Sequence, residues 1–174
     1  SPTYLKEAIK WENGENKGWS GYRPWLDRYE ILKKIHAYQL MLVILPTGVG
    51  KTVILPKLLL HYFGYKEPVI CTLPKTNTTR MAAEFAGKLM DVPLVITDDV
   101  TKKVIWTREK DFYVGYKFGD MPVPKSDAKT KLLFSTDGTI KVIITKKDPL
   151  LSEYAGIVID EAHERSVDID VLLA

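Results

Sequence analysis

The sequence predicts an α/β fold, a parallel sheet with helices on both faces, and three observations carry that expectation. Short apolar runs alternate with segments of helical spacing, as strand–helix–strand units require. The runs are apolar at consecutive positions, which fits strands buried on both faces. One of them, Leu40 to Leu45 (LMLVIL), empties into a glycine-rich stretch, Thr47 to Thr52, directly ahead of a helical pattern.

Taken in order, residues 1–22 are rich in Gly, Asn and charge and are expected to form an irregular lead-in, with Trp11 and Trp19 covering the edge of the core. The main domain is read as 23–174. Leu26 to Ala37 has helical spacing, placing Leu26, Tyr29, Leu32, Lys33 and His36 on one partly apolar stripe. Leu40 to Leu45 is expected as the first strand, and Val53 to Phe63 as a helix ended by Gly64. Val69 to Leu73 reads as a second strand, Thr78 to Met90 as a helix, and Val92 to Thr97 as a third strand. Asp98 to Lys131 mixes lysines, aromatics and prolines without one period, and is read as short strands and a loop. Leu132 to Ser135 and Ala155 to Asp160 complete the buried strands.

Composition narrows the setting. The 174 residues suit one domain, and 45% hydrophobic content is enough to close a core. Twenty-five Lys plus Arg against 22 Asp plus Glu leave +3, which permits a polyanionic partner without requiring one. Cys71 is the single cysteine, so it has no internal disulfide partner; its apolar neighbours predict a buried thiol in a reducing compartment. Ser1 to Glu15 is too polar for a secretory signal, and no run approaches the roughly 20 apolar residues of a membrane span. The expectation is an intracellular protein, cytoplasmic or nuclear, with no membrane partner.

Thr47, Gly48, Val49, Gly50, Lys51 and Thr52 have the make-up of a phosphate-binding loop. Glycines free consecutive backbone N–H groups to converge on phosphate oxygens at a helix N-terminus. The lysine then reaches the β- and γ-phosphates, and the threonine hydroxyl binds Mg²⁺. An ordinary glycine turn between strand and helix would use some of the same residues. Leu45 stands where such loops usually open on glycine.

Hydrolysis also needs a carboxylate for the metal and a base for water. The run Tyr154 to Asp160 (YAGIVID) ends in an acid, followed at once by Glu161, Ala162, His163, Glu164 and Arg165. An acid at the carboxyl end of a buried strand faces the crevice where such sheets bind ligands. Asp160 is therefore a candidate metal ligand, and Glu161 a candidate base and a further candidate metal residue beside Thr52 and Asp160. A solvated acidic helix start is the alternative reading.

VIDEAHERSVDIDVLLA, with TGVGKT upstream, resembles the DEAH-box group of superfamily 2 RNA helicases and covers the first of that family's two RecA-like domains. Further motifs extend the likeness. YRPWLDRY (Tyr22 to Tyr29) is similar to the family's Arg-x-x-Leu-Pro-x-Tyr lead-in, with Asp27 for the proline. Gln39 and Pro56 fall at matching places. Thr72-Leu73-Pro74-Lys75 resembles Thr-x-Pro-Arg-Arg, with Lys75 and Thr76 for the two arginines. Val114-Gly115-Tyr116 and Thr136-Asp137-Gly138 match two other signatures. Leu45 and Pro46 replace Gly-Glu, and a leucine there is similar to flavivirus-type helicases, pointing to a divergent, viral-type member.

The resemblance implies a RecA-like P-loop NTPase that binds ATP or another NTP with Mg²⁺ and moves on single-stranded or partly duplex RNA. By position, Pro74, Lys75, Thr136, Asp137 and Gly138 would contact RNA, chiefly through its sugars and phosphates. His163 would relay nucleotide state to the RNA side or to a second RecA-like domain. That domain, its arginine fingers and the Ser-Ala-Thr motif would lie beyond Ala174. Since such arginines are worth roughly 10³-fold or more in rate, these residues alone are expected to bind nucleotide weakly and hydrolyse it poorly.

Two other readings start from residues of the same chain. Val142 to Asp148 (VIITKKD) resembles the Thr-Lys-x-Asp element with which GTPases read guanine, provided an apolar strand precedes the lysine. Leu45 and Pro46 could instead mark a degenerate RecA-like module that binds nucleic acid or protein without nucleotide.

Overall fold

The computed structural model describes residues 13, 21–90, 94–97, 104–106, 113–119, 130–146 and 148–164. Trp11, Trp19 and the stretch 165–174 lie outside the described residues.

Two helices precede the glycine loop, α1 (Arg23–Leu26) and α2 (Arg28–Ala37), with Pro24 in the first turn of α1 where its missing N–H costs nothing. The break at Asp27 rotates the buried face away from the expected stripe. Leu26 and Tyr29 are exposed, while Ile31 is buried and Leu32 and Ile35 pack against the core. Counting helical turns from Leu26 carried the phase across a break, so Ile31, Leu32 and Ile35 are the face that the tertiary contacts select.

Leu40 to Leu45 also departs from expectation. It is extended but belongs to no strand ladder among the described residues. Leu40, Leu42 and Ile44 are 84%, 81% and 84% exposed, whereas Met41 packs on the core. Apolar character makes a run suited to a sheet interior, but a ladder needs a neighbouring strand to supply donors and acceptors.

Beyond the loop, α3 (Lys51–Tyr62) carries Val53, Ile54, Leu58 and Leu60 into the core. Each such apolar side chain contributes about 1.5–3 kcal/mol on burial. The helix stops where Gly64, at φ 65°, takes the left-handed conformation that ends many helices. Then come β1 (Val69–Leu73) and α4 (Thr76–Met90), the latter starting two residues before the sequence suggests. β2 (Leu94–Thr97), β3 (Val104–Trp106), β4 (Tyr113–Lys117) and β5 (Thr130–Thr136) follow. α5 (Asp137–Lys146), β6 (Gly156–Ile159) and one 3-10 turn (Ala162–Glu164) close the described chain.

The six strands order as β3-β2-β4-β5-β1-β6. All pairings are parallel except β2 with β3, so the sheet is parallel with one antiparallel edge strand. Successive residues of β1 point to opposite faces: Val69, Cys71 and Leu73 join the larger cluster with α3 and α4, and Ile70 joins Leu133, Ile140 and Leu151 with α5. Helices thus cover both faces, as expected. Cys71 is buried and unpaired with any other cysteine.

The element proposed to read guanine is not built on a strand. Val142 lies inside α5, whose helix runs to Lys146, because the apolar spacing of Ile140, Ile143 and Ile144 packs one helical face on Ile70 and Leu133. Asp148 instead closes a turn, accepting from Ser152 Oγ (3.1 Å) and the Glu153 amide (3.3 Å).

Candidate nucleotide site

Three parallel strands end side by side. Leu73 of β1 is the register partner of Thr136 of β5, and Thr72 is the partner of Ile159 of β6. Their carboxyl ends therefore deliver Pro74-Lys75, Thr136-Asp137-Gly138 and Asp160-Glu161 to one edge of the sheet, where open α/β sheets hold ligands.

The glycine loop meets that edge through α3. Gly48 and Gly50 both sit at φ 81°, a left-handed conformation that an L side chain resists. Gly50 is the N-cap of α3, its carbonyl accepting from the amides of Val53 (3.3 Å) and Ile54 (2.9 Å). Thr47 to Thr52 thus lead straight into a helix N-terminus, where partial positive charge and unused N–H groups favour an anion. The two glycines differ in their surroundings. A methyl on Gly48 would meet nothing within 4 Å, whereas one on Gly50 would lie 2.4 Å from Cδ1 of Tyr22.

Thr52 and Asp160 touch directly: the threonine hydroxyl donates to the aspartate carboxylate. Asp160 is 7% exposed and is fixed by its own backbone, its amide donating to the Thr72 carbonyl at 3.1 Å. Lys51 Nζ stands 3.9 Å from Glu161 Oε1, and His163 Nε2 stands 3.3 Å from Glu161 Oε2. Glu161 adopts φ 55°, which for a residue with a side chain costs of order 1–3 kcal/mol and is tolerated mainly where surroundings over-determine it.

A cavity of about 390 Å³ joins these groups, lined by Thr52, Asp160 and Glu161 on one side and by Pro74, Lys75, Thr78 and Met81 on the other. Of the sequence-predicted nucleotide residues, Thr52, Asp160 and Glu161 therefore share this space with Pro74 and Lys75, whereas Thr47 to Lys51 do not line it. Thr136, Asp137 and Gly138 lie next to it along the sheet edge, but the Asp137 side chain is buried at the start of α5. Thr136 Oγ1 is hydrogen-bonded to Thr139 Oγ1 at 2.8 Å. The backbone and Gly138 are what this corner can offer a ligand.

The donor set suits a hard cation. A hydroxyl and a carboxylate brought within bonding distance are oxygen ligands of the kind that Mg²⁺ takes. Cys71 lies beneath, its Sγ 3.9 Å from the Thr52 carbonyl. Burial pushes that thiol well above its ordinary value, and the negative charges of Asp160 and Asp137 push it further, so it stays protonated and plays no part as a ligand.

Thr78 and Met81 are site neighbours that motif reading does not single out, and Tyr22 enters it only as the head of the YRPWLDRY stretch, with no link to the glycine loop. Thr78 and Met81 carry a period-3 signal on α4, facing the cavity, which becomes legible only once Pro74-Lys75 is placed beside Asp160. Nothing local to Tyr22 signals its contact with Gly50.

Comparison with known proteins agrees with the geometry. The family described as type III restriction enzyme, res subunit, matches residues 25–168. A protein of Acanthamoeba polyphaga mimivirus, named as an ATP-dependent RNA helicase, is 36% identical over 155 residues, covering 89% of this chain and 20% of that protein. The ATP-dependent RNA helicase HrpA of Borreliella burgdorferi is 33% identical, over 83% of this chain and 15% of its own length. The ATP-dependent RNA helicase DHX33 of Drosophila melanogaster is 33% identical, over 83% and 18%. The chain spans about a fifth or less of these relatives. With the glycine loop seated on Asp160, the DEAH residues at the end of β6 and these matches along most of its length, the chain belongs to the DEAH-box helicases of superfamily 2, within their RecA-like ATP-binding domain.

Proposed function

We propose that this domain binds ATP with Mg²⁺ and, as part of a longer protein, couples its hydrolysis to movement on RNA. The observation that supports this most directly is the Thr52–Asp160 hydrogen bond, with Lys51 and Glu161 at the same mouth. The loop amides and the α3 N-terminus hold the phosphates, and Lys51 places its charge on the β- and γ-oxygens. Thr52 and Asp160 would hold Mg²⁺, which when bound would withdraw charge from the phosphate oxygens.

Glu161 takes the proton of the attacking water. In the resting arrangement its two carboxylate oxygens face Lys51 Nζ and His163 Nε2. When Lys51 turns to phosphate, one oxygen is left for water. His163 is 74% exposed and bonded to Glu161, so it is placed to report the state of that carboxylate to a second RecA-like domain or to RNA. Pro74, Lys75 and the Thr136-Asp137-Gly138 backbone supply RNA contacts at the same sheet edge, recognising sugar and phosphate and not base sequence.

The decisive experiment pairs two variants. Lys51→Ala should lose Mg-nucleotide binding in titration, and Glu161→Gln in the full-length protein should keep binding while RNA-stimulated turnover falls by roughly 10²–10⁴-fold. Retained turnover in Glu161→Gln would remove it from the role of base. Binding undiminished in Lys51→Ala would favour a degenerate module that takes no nucleotide at this loop.

A further inference from the structure

We propose that Tyr22 is a positioning residue of the phosphate-binding loop, its aromatic ring bracing Gly50 and thereby fixing the direction of the loop amides. The inference rests on the nucleotide-site reading above and adds a part that lies 28 residues ahead of Gly50.

Tyr22 is held at both ends. Its carbonyl accepts from the amides of Trp25 (3.0 Å) and Leu26 (3.2 Å), tying its backbone to the start of α1. Trp25, one turn on, is 5% exposed and belongs to the main core, against which the Tyr22 ring also packs. Turning the ring away would forfeit that packing.

Its other side covers Gly50. A Cβ built there would fall 2.4, 2.7 and 3.0 Å from Cδ1, Cγ and Cε1 of Tyr22, so the ring already occupies the space that any side chain would need. Gly48, with the same φ of 81°, has nothing within 4 Å. One glycine of the loop is open to a ligand and the other is capped by an aromatic face.

What Gly50 does, the site follows. Its carbonyl receives the first hydrogen bonds of α3, and the next two residues are Lys51 and Thr52, whose side chains meet Glu161 and Asp160. A left-handed glycine is the most conformationally free residue available, and a free hinge at this point would blur the aim of the amides before it and the two side chains after it. A flat, rigid ring in contact removes that freedom by packing alone. The effect uses the ring and not the hydroxyl, so phenylalanine should serve as well.

The test is MgADP titration of the 174-residue chain by calorimetry, with amide exchange of the nucleotide-free protein. Tyr22→Ala should weaken MgADP by about 10-fold, and Tyr22→Phe should stay within about 2-fold of the parent. Exchange at residues 48–52 should speed up in Tyr22→Ala while β1 amides keep their protection. If Tyr22→Ala loses its far-ultraviolet dichroism, Tyr22→Leu, which keeps apolar bulk without a flat ring, takes its place with the same expectation. Parent-like affinity and parent-like exchange in the folded variant overturn the proposal. Lys51→Ala separates the two readings: if it binds MgADP undiminished, the nucleotide reading fails, and the exchange result still decides whether the ring braces the loop.

Discussion

Thr52 and Asp160, 108 residues apart in the chain, are joined side chain to side chain by a hydrogen bond. The bond ties the first turn of α3 to the end of β6, so the pair proposed to hold the metal is brought together by the fold itself. Replacing Asp160 by Asn keeps the shape and removes the charge. Asp160→Asn in the full-length protein should reduce Mg²⁺-dependent turnover by at least about 10²-fold, while nucleotide affinity measured in EDTA stays close to the parent. Equal affinity gains from Mg²⁺ in parent and variant would contradict the assignment.

The unequal surroundings of the two loop glycines give a stability test. Gly48→Ala carries only the left-handed penalty, roughly 1–2 kcal/mol. Gly50→Ala adds a collision with the Tyr22 ring, which overpacking precedents place at about 1–3 kcal/mol more. Thermal unfolding should therefore rank Gly50→Ala below Gly48→Ala, and the order should collapse in a Tyr22→Ala background.

Asp148 is a turn residue here. Hydrogen bonds from the Ser152 backbone, then from Glu153 and the Ser152 hydroxyl, hold its carboxyl below the usual carboxylate value. A depressed folded-state pKa means the stabilisation is present above the unfolded value and is lost as pH falls through the folded one. The melting temperature of the parent should exceed that of Asp148→Ala at pH 7, and the gap should close on acidification below about pH 4. ATP and GTP should compete alike in both proteins; a selective loss of GTP would revive the guanine-reading alternative.

Cys71 should be silent to thiol reagents in the native protein. It is fully buried with a raised pKa, so neither access nor thiolate is available. One thiol should titrate with an aromatic disulfide reagent in denaturant, and almost none without it. Fast native labelling would show that the strand under Thr52 opens readily.

Much of this was legible in the residues, and the exceptions share a cause. Val69–Leu73 was readable to the residue because a run of apolar side chains between helical patterns is buried on both faces whatever its partners. Asp160 was readable because an acid that ends such a run has one place to go. Leu40 to Leu45 shows the limit: side-chain character is local, but a ladder belongs to two strands, and the sequence does not say which neighbour is there. Val142 to Lys146 shows another, since a short apolar stretch suits a helix or a strand until its packing partners choose. The break at Asp27 and the reach of Tyr22 to Gly50 are tertiary facts without a local signature.

The bared leucines and isoleucine ahead of the loop bear on how this polypeptide behaves in a tube. Leu40, Leu42 and Ile44 project from an extended backbone that joins no ladder among the described residues, and an exposed, extended apolar segment is the template that recruits a like segment from another molecule. Self-association of these 174 residues should rise with concentration and with salt, and a lysine at position 42 should delay the onset of turbidity. This segment runs directly into Thr47, so molecules associated along it would crowd the residues that lead into the glycine loop, and nucleotide titration should fall short of one site per chain as protein concentration rises.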